Sequence, residues 1–266
     1  MMQEWEKNPL SLFDVRGKSV IITGATGAFG RLAARVLAAA GANITLTGSN
    51  ETELLSVTDE CRALKANIVA VNIRPDSEEN TQKIIDSAMV FGRVDGLVVA
   101  SGMNDVGMIE EMSPERFQKV MDANVTCSWL MARAAGKQML SQDAGGKIIF
   151  MSSARGKLGH PAGYSAYCAS KAAVDGMTRA LGCEWGDKGI TVNAIAPTVF
   201  RSPLTSWMFE DTEKAESVRK GFLNRVPKGR LGEPSDLAGP LLFLLSPASD
   251  FYTGHILYAD GGYTAG

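Results

Sequence analysis

Cysteine is scarce in this 266-residue chain, with four in all and no two spaced C-x-x-C. Histidine is scarcer still: His160 and His255 are the only two. So few thiols and imidazoles argue against a metal centre, and scattered cysteines suit free thiols in a reducing compartment better than a disulfide framework. An excess of charge of one sign is also missing. Lys and Arg number 27 against 29 Asp and Glu, a formal net charge of −2, and the pI is near 5.8. No basic tract or aromatic-interleaved basic stripe occurs, which removes the electrostatic footprint of a nucleic-acid binder. No run of about 18 apolar residues could span a bilayer. The opening "MMQEWEKNPL" carries charges where a signal peptide needs an apolar stretch. The expectation is a soluble, cytoplasmic protein that binds neither nucleic acid nor membrane.

What the chain does have is alternation. Val/Ile-rich runs at 19–23, 43–47, 67–71, 96–100, 147–151, 190–195 and 255–259 read as strands. They are apolar on both faces, as parallel strands covered by helices must be. Segments of helical period at 29–40, 51–64, 78–91, 114–141, 165–186 and 235–246 lie between most of them. Repeated strand–helix alternation predicts right-handed crossovers and one α/β domain: a doubly wound, Rossmann-type, seven-stranded parallel sheet with helices on both faces. Residues 1–17 precede it as an N-terminal extension. Residues 198–233 lack a strand signal and carry the rather apolar "SPLTSWMF". In such a sheet ligands lie beyond the carboxyl ends of the strands, so an insertion there is expected to act as a substrate lid. A plain surface excursion is the alternative.

"SVIITGATGAFGRLAARVLAAAGA" runs strand, glycine-rich turn, helix, with Gly24, Gly27 and Gly30 at three-residue spacing. Glycine is needed where backbone turns with positive φ or closely approaches a pyrophosphate. The helix start then aims N–H groups and its dipole at the phosphates. The tip of the second strand reads Gly48-Ser49-Asn50, with no acid to grip a ribose 2′-hydroxyl. Ser49 and Asn50 could donate to a 2′-phosphate, although this tip carries no arginine clamp. The tip leans to NADP, with NAD still open.

"YSAYCASK" places Tyr167 four residues before Lys171, so on a helix the two share a face. An ammonium beside the phenol is expected to lower its pKa from ~10 toward the working pH of an acid/base catalyst. Alone, the pair could equally be one face of an amphipathic helix. Together with the glycine turn, Asn124 in "MDANVTCSW" and Ser153 in "IIFMSSARG", the chain resembles the short-chain dehydrogenase/reductase family over nearly its whole length. The resemblance implies a catalytic set of Asn124, Ser153, Tyr167 and Lys171. In it Ser153 donates to the developing oxyanion, Asn124 positions a water leading from Lys171 to solvent, and Tyr167 moves the proton. Ser152 is the rival serine, because Ser153 lies fourteen residues before the tyrosine where thirteen is usual. The implied cofactor contacts are Gly24, Thr26, Gly27, Phe29, Gly30, Ser49, Asn50, Asn72, Ile73, Ala100, Gly102, Tyr167, Lys171, Pro197, Val199 and Ser202.

The chain departs from the family pattern at several of these positions. Ala28 stands at the middle glycine, with Gly27 one place earlier. Val99-Ala100-Ser101-Gly102 replaces Asn-Asn-Ala-Gly, Asn72-Ile73 replaces Asp-Val, and Pro197-Thr198 replaces Pro-Gly. Each puts the cofactor cradle in doubt more than the chemistry. Near the serine, "ARGKLGHPAGY" supplies Arg155, His160 and Tyr164 as substrate contacts. The opening "LSLFDVRGKSVIITG" looks like gluconate 5-dehydrogenases and polyol dehydrogenases of the family. A sugar acid or polyol is therefore the expected substrate, with Arg155 or His160 near a carboxylate. A solvated basic loop is the plain alternative. Two rival functions stay open: reduction of 3-oxoacyl thioesters, for which a carrier-binding basic patch is lacking, and a non-catalytic nucleotide-binding regulator. The resemblance also implies a homotetramer, for which the apolar 241–246 run is weak support.

Overall fold

The computed structural model describes residues 3–142, 144–203 and 205–266; Met1 and Met2 of the extension and Leu204 of the insertion lie outside the described residues. Seven strands form where the Val/Ile-rich runs fall: β1 (Ser19–Thr23), β2 (Asn43–Thr47), β3 (Ile68–Val71), β4 (Gly96–Val99), β5 (Gly146–Met151), β6 (Ile190–Pro197) and β7 (Ile256–Ala259). All pair in parallel in the order β3-β2-β1-β4-β5-β6-β7. The order reverses between β1 and β4. Their carboxyl ends therefore diverge into loops on opposite faces and leave a crevice at that point.

The helices are α1 (Glu4–Lys7), α2 (Ala28–Ala39), α3 (Glu51–Ala63), α4 (Glu78–Ala88), α5 (Pro114–Met121), α6 (Cys127–Leu140), α7 (Ser165–Trp185), α8 (Glu213–Leu223) and α9 (Ser235–Leu245). Alternate residues of one strand feed two separate cores, as the two-residue period requires. Val20 and Ile22 join Leu37 of α2 and Leu241, Leu244 and Leu245 of α9. Ile21 joins Ile84 of α4, Met131 and Ala135 of α6, and Phe150 of β5. The 241–246 run is thus chiefly core, and its support for an oligomer interface lapses. Each fully buried Ile or Leu here contributes on the order of 2 kcal/mol. The extension closes one edge: Val15 is buried, and the Phe13 ring lies 6.5 Å from that of Phe243.

Two expected helices are broken. The 78–91 segment leaves α-helix at Ala88 and tightens into a turn over Met89–Phe91, closed by Gly92 at φ 79. The 114–141 segment is α5, a π turn at Asp122–Thr126, then α6. The π turn has a local cause. Asn124 at its centre is drawn to the end of β4, accepting from the Met103 N–H at 2.7 Å and donating to the Met103 carbonyl at 2.8 Å. Single π turns recur at functional sites because they re-aim one side chain.

The described residues of 198–233 hold no strand, as the sequence implied, but they do hold α8 and a short 3₁₀ turn at Ser206–Phe209. Thr212 caps α8 by accepting from the Ala215 N–H, with Glu213 and Glu216 in the first turn. The segment is pinned at its base by the Phe200–Gly232 bridge and by the Phe200 ring against Phe29. At its far end Phe222 stacks on Tyr263, centroids 5.1 Å apart.

Candidate active site

A cleft of about 300 Å³ opens at the carboxyl ends of β1 and β4. Gly24, Thr26 and Gly27 line it from the first turn, Ser49 from the β2 tip, Ile73 from the β3 end, and Ala100 and Gly102 from the β4 end. Gly24 has φ +64, and a Cβ there would sit 2.5 Å from the Ser101 nitrogen. A Cβ at Gly30 would lie 2.1 Å from the Gly24 carbonyl oxygen. The turn and the helix start are therefore pressed together, and neither glycine tolerates a side chain. Gly30→Ala is expected to cost at least about 2 kcal/mol of stability and at least tenfold in dinucleotide affinity, because the turn must shift. Thermal unfolding and a cofactor titration check it.

Among the described residues no carboxylate lines this cleft, and one cation does: Arg74, directly after Asn72-Ile73. The sequence reading looked for an arginine only at the β2 tip and so missed it; its place one residue past the expected adenine contact was the available signal. Several expected cofactor contacts are engaged elsewhere. The Asn50 carboxamide oxygen accepts from the Glu53 N–H at 3.1 Å and caps α3. Asn72 is exposed and not part of the cleft wall. Phe29 packs edge-on against Phe200. Pro197 ends β6, the Val199 carbonyl accepts from the Gly232 N–H at 2.9 Å, and the Ser202 hydroxyl pairs with that of Thr205 at 2.9 Å. A larger cavity of about 470 Å³ between the β7 end and residues 227–232 contains none of the expected site residues. The smaller cleft holds the glycine turn and strand tips expected for a cofactor, and it ends at Gly102 and Met103, next to Asn124.

Ser153, Tyr167 and Lys171 converge beside the β4 end. Ser153, extended at φ −162 just past β5, lies beside the Tyr167 phenol, where its hydroxyl favours the phenolate, and accepts from the Arg155 N–H at 3.2 Å. Ser152 points away, donating to Asp175 at 2.5 Å. Of the two serines, only Ser153 faces the phenol. Lys171 is buried; its ammonium donates to the Met151 carbonyl at 2.7 Å and sits 5.6 Å from the centre of the Tyr167 ring. Gly102 lets this group close up, since a Cβ there would be 2.9 Å from Asn124 Oδ1 and 3.8 Å from Lys171 Nζ. Asn124 also donates to Ser170 at 2.9 Å, and Ser170 donates to the Tyr167 carbonyl at 2.8 Å. Its carboxamide is thus occupied in tying α7 to the β4 loop, which leaves little of that side chain to hold a water.

One expectation is reversed. The Tyr167 phenol is pushed above its ordinary pKa, chiefly by burial, with the Ser153 hydrogen bond opposing. Lys171 does not lower it, because the ammonium reaches the Met151 carbonyl and the ring rather than the phenolic oxygen. Lys171 itself is brought down to about 8 by burial, against the pull of Asp175. Burial outweighs the local charges in both groups.

The substrate side holds a second surprise. Arg155 donates to the Gly159 carbonyl at 2.7 Å and to the Tyr263 hydroxyl at 3.0 Å. His160 lies against Tyr164, centroids 4.5 Å apart, and Tyr164 meets Tyr167 edge-on at 6.3 Å. Burial and the nearby Arg155 and Arg225 hold His160 below its ordinary pKa, so at neutral pH it is an uncharged imidazole. Arg225, 4.6 Å over the Tyr263 ring, is the second cation here. Neither Arg225 nor Tyr263 was legible, since both are far from the motif in sequence. Among the described residues no His/Cys/Asp/Glu cluster could hold a metal ion, and no helix is long and apolar enough to cross a membrane.

A glycine cradle that a Cβ would fill, at the switch point of a parallel sheet, beside a Ser–Tyr–Lys group, defines a nucleotide-dependent oxidoreductase. The chain belongs to the short-chain dehydrogenase/reductase family: a family model described as enoyl-(acyl carrier protein) reductase matches residues 24–264. The family is NAD(P)-dependent. An uncharacterized oxidoreductase of Mycobacterium tuberculosis is 51% identical over 257 residues, 96% of this chain and 94% of the relative. A 3-oxoacyl-[acyl-carrier-protein] reductase of Rickettsia felis is 34% identical over 251 residues, 94% and 98% of the two chains. The crystal structure of a gluconate 5-dehydrogenase from Burkholderia cenocepacia in complex with NADP and tartrate superposes with a TM-score of 0.89 at 28% identity, over 97% of this chain and 100% of that one.

Proposed function

We propose that this oxidoreductase interconverts a secondary alcohol and a ketone using NADP(H), on a hydroxylated, anionic substrate such as a sugar acid. The observation that carries the reading is the Tyr167 phenol set beside Ser153 with the buried Lys171 ammonium 5.6 Å from its ring centre. The bound nicotinamide supplies or accepts the hydride. In the reducing direction Tyr167 donates its phenolic proton to the carbonyl oxygen, and the Ser153 hydroxyl donates a hydrogen bond to the same oxygen as charge builds on it. Lys171 adds a fixed positive charge and would hold the ribose hydroxyls. Asn124 fixes the distance between the β4 loop and α7. Arg74 and Ser49, in a cleft wall without a carboxylate, favour the phosphorylated cofactor. Residues 198–233 act as the substrate lid, and Arg225 within it and Arg155 beneath it, both over the Tyr263 ring, bring positive charge to the substrate. The enzyme works in the cytoplasm as a homotetramer.

The apolar side chains of Met108 and Ile109, exposed on the loop that meets Gly163, favour a second reading, reduction of 3-oxoacyl thioesters. One panel separates the two. Purified enzyme with NADPH is expected to reduce keto-gluconates, to do so at least tenfold better than with NADH, and to leave an acetoacetyl thioester nearly untouched. Activity on the thioester alone would replace the sugar-acid reading.

A further inference from the structure

Four chemically active side chains stand at four-residue intervals on α7: Tyr167, Lys171, Asp175 and Arg179. Such spacing stacks them along one helix face. The middle two are both buried, Lys171 at 6% exposure and Asp175 at 3%. The proposed chemistry uses Tyr167 and Lys171 and leaves the buried carboxylate without a task. A buried carboxylate is costly unless it is paired or hydrogen-bonded.

Burial pushes the Asp175 carboxyl above its ordinary range, and its polar and charged neighbours pull it back toward the ionised form. The Ser152 hydroxyl at the end of β5 donates to Oδ1 at 2.5 Å. Gly156 leaves room for Oδ2, since a Cβ there would be 2.5 Å from that oxygen. Arg179, one turn further along α7, favours the ionised carboxylate, whereas the Tyr258 phenol faces it from β7. Lys171 in turn is faced by the Tyr167 ring, Gly102, Asn124 across the β4 loop and the Met151 carbonyl. Among the described residues Asp175 is the one carboxylate acting on this ammonium, and it acts at a distance, without a close ion pair. Burial has already brought the lysine down to about 8. Loss of the counter-charge would take it through neutrality.

We infer that Asp175 is a positioning residue: held ionised by Ser152 and Arg179, it keeps Lys171 in its ammonium form, and so able to serve the proton transfer at Tyr167, at neutral pH. The inference rests on the oxidoreductase reading for its consequence but not for its geometry. It also gives Ser152 a task distinct from that of Ser153.

The test is the titration of Lys171 in the full chain, followed by NMR of isotope-labelled lysine side chains and assigned with Lys171→Met. Asp175→Asn keeps the acceptor for Ser152 and removes only the charge. It is expected to lower the Lys171 midpoint by about one pH unit, and Ser152→Ala by about half as much. With NADPH and a reducible ketone, the alkaline limb of kcat should move down in the same order, by about fivefold in rate near pH 8 for Asp175→Asn, while rates near pH 6 stay close to wild type. A merely structural aspartate would lower Tm and leave the Lys171 midpoint in place; that result, in Asp175→Asn or, should it not fold, in Ser152→Ala, overturns the inference. A shifted lysine in a protein that reduces no ketone supports the electrostatic pair and counts against the oxidoreductase reading alone.

Discussion

Lys171→Met is expected to make the cofactor-free protein more stable at pH 7 while reducing turnover by at least about a hundredfold. In the folded chain burial brings this ammonium down to about 8, from an ordinary value of 10.5. That gap, roughly 2.5 on the pH scale, corresponds to about 3 kcal/mol of destabilisation wherever both states would be protonated. The folded pKa is the lower one, so between about pH 8 and pH 10.5 the unfolded chain binds more protons and stability rises with pH; below pH 8 the full cost remains. Replacing the lysine removes that cost and loses one hydrogen bond, to the Met151 carbonyl, worth about 1–2 kcal/mol. The net gain is about 1–2 kcal/mol, a Tm rise of a few degrees for a chain of this size. Thermal unfolding of both proteins across this pH range checks the sign: the Tm difference should shrink as pH climbs from 8. A variant less stable than wild type at pH 7 would mean that the buried ammonium is well satisfied.

Tyr167→Phe is expected to lower the rate of ketone reduction by about 10³-fold with cofactor affinity changed less than about threefold. The phenol lies beside Ser153, with the Lys171 ammonium 5.6 Å from its ring centre. Phenylalanine fills the same volume, so the fold and the cleft are kept. Ser153→Ala should cost less, about 10²-fold, because it removes one donor to the developing charge and leaves the proton donor in place. Steady-state rates with NADPH, together with a cofactor titration, distinguish a chemical loss from a binding loss.

The sheet was legible because parallel strands must be apolar on both faces, and every Val/Ile run became a strand within a residue or two. The Tyr167–Lys171 pair was legible because a four-residue offset on a helix fixes a shared face. What could not be read was direction and depth. The sequence offers two adjacent serines, and only the turn after β5 decides that Ser152 meets Asp175 while Ser153 meets the phenol. The effect of Lys171 on Tyr167 was expected with the wrong sign because burial, which dominates both groups, is not written in a spacing. The π turn at Asn124 uses residues that would equally suit a continuous helix; the contact with Met103, twenty-one residues back, creates it. Arg74 was overlooked by attending to one strand tip, when the cleft is made from four.

The measurement that reaches the central claim most directly is the ratio of wild-type to Tyr167→Phe reduction rates, at saturating NADPH and ketone, between about pH 6 and pH 10. If the half-buried phenol supplies the proton, the ratio is about 10³ at neutral pH and falls only as the solution becomes strongly alkaline, since desolvation holds the proton on Tyr167 above its ordinary range. A ratio near one at neutral pH, with both proteins folded and binding cofactor, would contradict it.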